Sequence, residues 1–121
     1  MKPFSKKEIA LLFSTGKFAE TYSCLSDDIE WIIAGERELI GKPAVIDFCN
    51  QTAYYFSSVT THFQTKNIIE DEQAIAIDGN AVFINNDGKQ TRVCSCDVYR
   101  FENERLVRIN SYCITLNKAQ P

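Results

Sequence analysis

Asp97 is the residue of this sequence whose setting asks for chemistry. It lies in Asp97-Val98-Tyr99-Arg100-Phe101-Glu102, which alternates as a half-buried strand does. Val93, Ser95, Asp97, Tyr99 and Phe101 share one face, while Arg92, Cys94, Cys96, Val98, Arg100 and Glu102 share the other. The first face carries both aromatic rings of the run and no charge except Asp97. A carboxylate turned toward an apolar interior is costly unless it is paired, hydrogen-bonded or protonated. Such a group is a candidate for acid–base work on a bound molecule. The alternatives are a structural aspartate tied to Tyr99, Ser95, Ser111 or a backbone group, and an exposed residue at the mouth.

The other candidates are ranked by whether they can share that interior. His62, the single histidine, opens a long strand in Thr60-Thr61-His62-Phe63. It either faces Asp97 as its partner or is an exposed or structurally bonded ring. Ser111 and Cys113 have inward parity on the last strand, but no adjacent base is evident to make either a nucleophile. The predicted pocket wall is Trp31, Phe48, Thr52, Tyr55, Ser95, Tyr99, Ser111 and Cys113, and its expected occupant is an apolar small molecule.

Cys24, Cys49, Cys94, Cys96 and Cys113 are odd in number and irregular in spacing. Cys94 and Cys96 are two residues apart on one strand face, about 7 Å, beyond the usual reach of a disulfide. With a single histidine beside them, no metal site is expected, and reduced, mostly apolar-like cysteines are the reading. The proton chemistry open to Asp97 calls for no cofactor.

Bulk properties narrow the partners. The 121 residues suit one domain, residues 1–121, and 45% hydrophobic with 24% charged residues is ordinary for a globular chain. A net charge of −3 with scattered basic residues argues against nucleic acid and anionic membranes. No apolar run is long enough for a membrane span, and the first residues lack the long apolar segment of a secretory signal. A cytoplasmic address is therefore expected.

The elements that must position Asp97 follow from periodicity. Ile9, Leu12 and Phe13 fall at helical spacing and end at Gly16; Phe18, Tyr22 and Leu25 mark a second short helix, stopped by Ser26-Asp27-Asp28. Ile29 to Ala34 reads as a strand, and Glu38-Leu39-Ile40 pairs back on it. Pro43 suits a helix first turn, after which Val45, Phe48, Cys49, Thr52 and Phe56 form one helical face. Four strands follow: Val59 to Ile69, Ala74 to Asn85 with a bulge or a second tight turn at Asp78-Gly79, the Asp97 strand after Asn86-Asp87-Gly88, and Leu106 to Leu116 closing the sheet. The fold class is α+β: a cone-shaped, curved antiparallel sheet wrapped around a long helix, with helices at the N-terminus and an α-β-α-β-β-β-β order. Asp97 is expected on the concave face. On the opposite face Val98, Arg100, Arg108, Asn110 and Tyr112 suit a homodimer contact.

Residues 5–116 resemble nuclear transport factor 2-like domains. The resemblance rests on Leu25-Ser26-Asp27-Asp28-Ile29-Glu30-Trp31, on Gly41-Lys42 opening a helix, and on Asp97-Val98-Tyr99-Arg100-Phe101 with Leu106-Val107 and Ser111-Tyr112. It is most similar to the SnoaL-like polyketide-cyclase and ketosteroid-isomerase-like branch. The resemblance implies that Asp97 matches the strand position of the isomerase's protonated aspartic acid. It also implies that Ile9 stands near the position of the isomerase's tyrosine donor, and Ile32-Ile33-Ala34 near that of its base. Two of three groups are thus missing for steroid isomerisation. The epoxide-hydrolase pattern lacks an acidic partner for Asp97 at matching parity. The cyclase pattern, a single acid beside a carbonyl in an apolar pocket, is satisfied by Asp97 alone. Two functions stay open here: a cofactor-free isomerase, cyclase or dehydratase acting on an apolar carbonyl compound, and a non-catalytic dimeric ligand-binding or protein-interaction module.

Overall fold

The chain's structure is a computed structural model, described for residues 4–116. The helix α1 (Lys6–Ser14) starts at a reciprocal cap. Ser5 Oγ accepts from the Glu8 amide at 3.1 Å, and the Ser5 amide donates to Glu8 Oε1 at 2.8 Å. It ends where Gly16 takes φ +83°, with the Lys17 amide donating to the Leu12 carbonyl and the Gly16 amide to that of Phe13. That left-handed stop turns the chain at once into a short 3₁₀ segment, Phe18–Cys24. The strand β1 (Leu25–Ile33) begins immediately after it. Ser26-Asp27-Asp28, expected to stop a helix, instead lies within this strand, where its register against a neighbour is irregular.

A four-residue strand, β2 (Arg37–Ile40), pairs back on β1. The long helix α2 (Lys42–Ser57) follows with Pro43 in its first turn. Its Val45 and Cys49 are fully buried in the same core as Ile9 and Phe13 of α1, so both helices cover one face of the sheet. The remaining strands are β3 (Thr60–Glu70), β4 (Ala74–Ile84), β5 (Gln90–Glu102) and β6 (Arg105–Thr115). No helix among the described residues is long and apolar enough to cross a membrane.

The six strands lie in the order β2-β1-β6-β5-β4-β3 and form a curved sheet that does not close. The α+β cone expected from the sequence is the fold observed. One pairing differs: β6 is not the closing edge but sits inside the sheet, antiparallel to β5 and parallel to β1. A parallel pair requires a long crossover, here the whole stretch from β2 to β5, so short-range hairpin signals could not reveal it. In this register Ile33 faces Ser111 and Trp31 faces Ile109, while Asp97 faces Ser111 across the next ladder.

The bulge expected at Asp78-Gly79 resides on the facing strand. Thr65 pairs with Gly79 and Asn67 with Asp78, leaving Lys66 as the extra residue. Gly79 is still essential to it, because a Cβ there would stand 2.5 Å from the Gln64 carbonyl oxygen. The core is continuous from Ile9 and Phe13 through Leu25, Ile29 and Trp31 to Tyr99, Phe101 and Ile109, all buried.

Candidate functional site

The inward face of the sheet and the two helices enclose a cavity of about 270 Å³. Phe13 comes from the last turn of α1, Phe18 from the start of the 3₁₀ segment, Phe48, Thr52 and Phe56 from one stripe of α2, and Phe63 and Phe83 from β3 and β4. The rings meet edge to face or tilted: Phe13 and Trp31 have centroids 5.1 Å apart, Trp31 and Phe48 5.3 Å, Phe56 and Phe63 5.6 Å. Phe56 stacks on Phe83 at 5.4 Å. Each ring thereby fixes its neighbour, so the wall is held by packing rather than by backbone alone.

The polar floor is built from three strands. Trp31 Nε1 on β1 donates to Ser111 Oγ on β6 at 2.9 Å, and both residues are buried. The hydroxyls of Ser111 and Tyr99 lie close enough to the Asp97 carboxyl on β5 to act on it as donors that favour its charged form. A serine hydroxyl has one proton to give, and Trp31 occupies a lone pair rather than that proton. The chain of donors therefore runs one way, from Trp31 through Ser111 to Asp97, with Tyr99 joining from the same strand.

Opposing forces act on Asp97. Burial is the larger and raises its pKa above the ordinary 3.8; the bonds from Ser111 and Tyr99 pull the other way by favouring the charged form. Burial, with Asp97 beside it, raises the fully buried Tyr99 well above 10, so this phenol keeps its proton and remains a donor. The Cys113 thiol is also pushed up, first by burial and then by Asp97, Glu36 and Cys94. A thiol so placed is a poor nucleophile. The five cysteines are unpaired, and among the described residues no group of His, Cys, Asp and Glu could hold a metal ion.

Of the residues expected in the wall, Trp31, Phe48, Thr52, Ser95, Tyr99, Ser111 and Cys113 line the cavity together with Asp97. His62 does not. It is exposed opposite Val82, and its neighbour Phe63 takes the inward position, so strand alternation turns the imidazole away from Asp97. Tyr55 is likewise outside the lining; it lies one residue off the inward stripe of α2 and rests against Phe83 at 5.8 Å. Glu36, Phe13, Phe18, Phe56, Phe63 and Phe83 line the cavity without having been expected there. The helical spacing of Phe48, Thr52 and Phe56 was a usable signal for Phe56; nothing local distinguishes Glu36 from any solvated turn residue.

Comparison with known proteins agrees with this architecture. The SnoaL-like domain matches residues 8–109, and the chain belongs to that family, within the NTF2-like superfamily. An NTF2-like protein of unknown function from Cytophaga hutchinsonii is 40% identical, with a TM-score of 0.82 over 89% of this chain and 95% of its own. A SnoaL-like polyketide cyclase, so assigned, from Jannaschia sp. CCS1 shares the fold at 11% identity and TM-score 0.72, over 93% of this chain and 89% of its own. An epoxide hydrolase of the LEH-like type from M. tuberculosis does so at 16% and 0.66, over 87% and 77%. No curated protein matches the chain.

The raised pKa of Asp97 has a consequence for stability. Below the unfolded value near 3.8, native and unfolded chains both carry the proton and Asp97 costs nothing. As pH rises through the raised native value the unfolded chain has already ionised, and the native state loses stability. Asp71 acts in the opposite sense, lowered by the amides of Gln73 and Ala74, so the comparison is with Asp97→Asn. Urea denaturation of both proteins from pH 4 to pH 8 should show Asp97→Asn gaining on the wild type as pH rises. Parallel curves would show that Asp97 is not held against its charge.

Proposed function

We propose that the protein binds an apolar, carbonyl-bearing small molecule in this cavity and that Asp97 is the base that moves a proton beside the carbonyl. The observation that carries this reading is the one-way donor chain ending on a half-buried carboxyl at the floor of an aromatic cavity. The donors help keep Asp97 ionised and so available as a base, while desolvation, the larger effect, makes it a stronger base than an aspartate in water. It takes the proton from the carbon next to the carbonyl, leaving an enolate and a neutral Asp97, and returns it at another carbon. Ser95, Gln64 and Asn80 line the same cavity and supply neutral donors for the enolate oxygen. The proton path as drawn uses side chains alone. Five unpaired thiols suit a reducing compartment, and the cytoplasm is the proposed place of action.

The other face of the sheet supports a second copy of the chain as partner. Tyr112 and Ile114 are 51% and 59% exposed on β6, with Val98, Arg100 and Asn110 beside them; Arg108 is held there by Glu30 at 2.9 Å. Such a face, mixing aromatic, aliphatic and arginine side chains, suits a homodimer contact. A dimer that binds without catalysing would use the same cavity and the same face.

Two experiments separate these readings. Incubated in D₂O with 4-phenylbutan-2-one, the protein should accelerate deuterium uptake at the carbons flanking the carbonyl. The rate should climb with pH and level off once Asp97 is ionised. Asp97→Asn should lose about 10²-fold or more of that rate. Binding with no acceleration over buffer, seen by thermal shift, would leave the non-catalytic module. In sedimentation velocity the wild type should run as a dimer and Tyr112→Glu as a monomer; a monomeric wild type would remove the dimer.

A further inference from the structure

The cavity wall is charged with one sign only. Asp97 and Glu36 are its two ionisable carboxyls, and no Lys, Arg or His is among the described residues lining it. The nearest cation in sequence, Arg37, is not in the lining; its guanidinium lies 4.9 Å from the centroid of the Phe48 ring and covers one face of it. Glu36 sits in the turn after β1, beyond the point where the Ala34 amide donates to the Ser111 carbonyl. It is exposed and close enough to the half-exposed Cys113 to act on its thiol, so it marks the mouth as Asp97 marks the floor.

We propose that the molecule taken by this cavity carries a basic nitrogen as well as a carbonyl. Its ammonium is held at the mouth by Glu36, and its apolar body lies against the phenyl rings with the carbonyl toward Asp97. The inference rests on reading the cavity as the ligand site and adds the charge of the ligand to it. A carboxylate or phosphate ligand would enter a wall with no cation to meet it and two acids to repel it. An organic cation meets the Glu36 carboxylate at the mouth, and its apolar body meets an aromatic wall. Glu36 is thus a specificity-determining residue, separate from the group that moves the proton.

Three probes of equal carbon skeleton test this: 4-phenylbutylamine, 4-phenylbutanol and 4-phenylbutyrate, titrated calorimetrically into wild type and Glu36→Gln. The amine should bind best, the alcohol next and the carboxylate at least about tenfold more weakly than the amine. Glu36→Gln should weaken the amine about two- to fivefold and leave the alcohol unchanged, which also shows that the variant is folded. The amine's advantage should narrow as salt is raised. Alcohol binding without any preference for the amine, or a preference that survives Glu36→Gln, would overturn the proposed charge and leave the cavity as ligand site. Failure of all three probes to bind would overturn both.

Discussion

The bond from Trp31 Nε1 to Ser111 Oγ is the contact on which the floor of the cavity depends. Its two residues are 80 positions apart and meet because β1 lies parallel to β6. Trp31 takes one lone pair of the serine oxygen, and the serine proton is left for Asp97. Without the indole, the hydroxyl could rotate and offer its lone pairs instead. Asp97 would then lose a directed donor while keeping its desolvation. A backbone pairing thus becomes a statement about the protonation of one carboxyl.

The wall obeys a different constraint. Protein interiors are close-packed, and a domain of this size has little burial to spare. Yet Phe13, Phe18, Phe48, Phe56 and Phe83 are arranged ring against ring around an open volume rather than collapsed into it. Their edge and stacked contacts make each ring the support of the next. The bulge at Lys66, opposite a glycine that permits the close approach of Gln64, bends β3 where Phe63 and Thr65 join the wall. Curvature, ring lattice and cavity are therefore one feature. Glu36 adds an acid at the rim of the same volume, where the β1–β2 turn puts it.

Much of this was legible in the chain because its signals are local. The stripe Phe48, Thr52, Phe56 declares the inward face of α2, and two-residue alternation places Ser95, Asp97 and Tyr99 together on β5. Asn86-Asp87-Gly88 declares the β4–β5 turn, with Gly88 at φ +86°. Alternation also contains the correction for His62, since Phe63 beside it has the stronger claim to the interior. The bulge was assigned to Asp78-Gly79 because glycine is the visible mark of it, whereas the extra residue, Lys66, carries none. The parallel β1–β6 pair and the arrival of Glu36 at the mouth arise only when distant strands assemble. No residue near either one announces it.

Asp97, desolvated and faced by the hydroxyls of Ser111 and Tyr99, is the group whose titration decides whether it can serve as a base. The direct measurement is the ¹³C carboxyl shift of Asp97 followed by NMR through a pH titration, in the wild type and in Ser111→Ala. The wild-type midpoint should lie above the 3.8 of an ordinary aspartate. Removing the serine donor should raise it further, because that bond favours the charged form. A midpoint at or below 3.8, or one that Ser111→Ala leaves in place, would contradict the account.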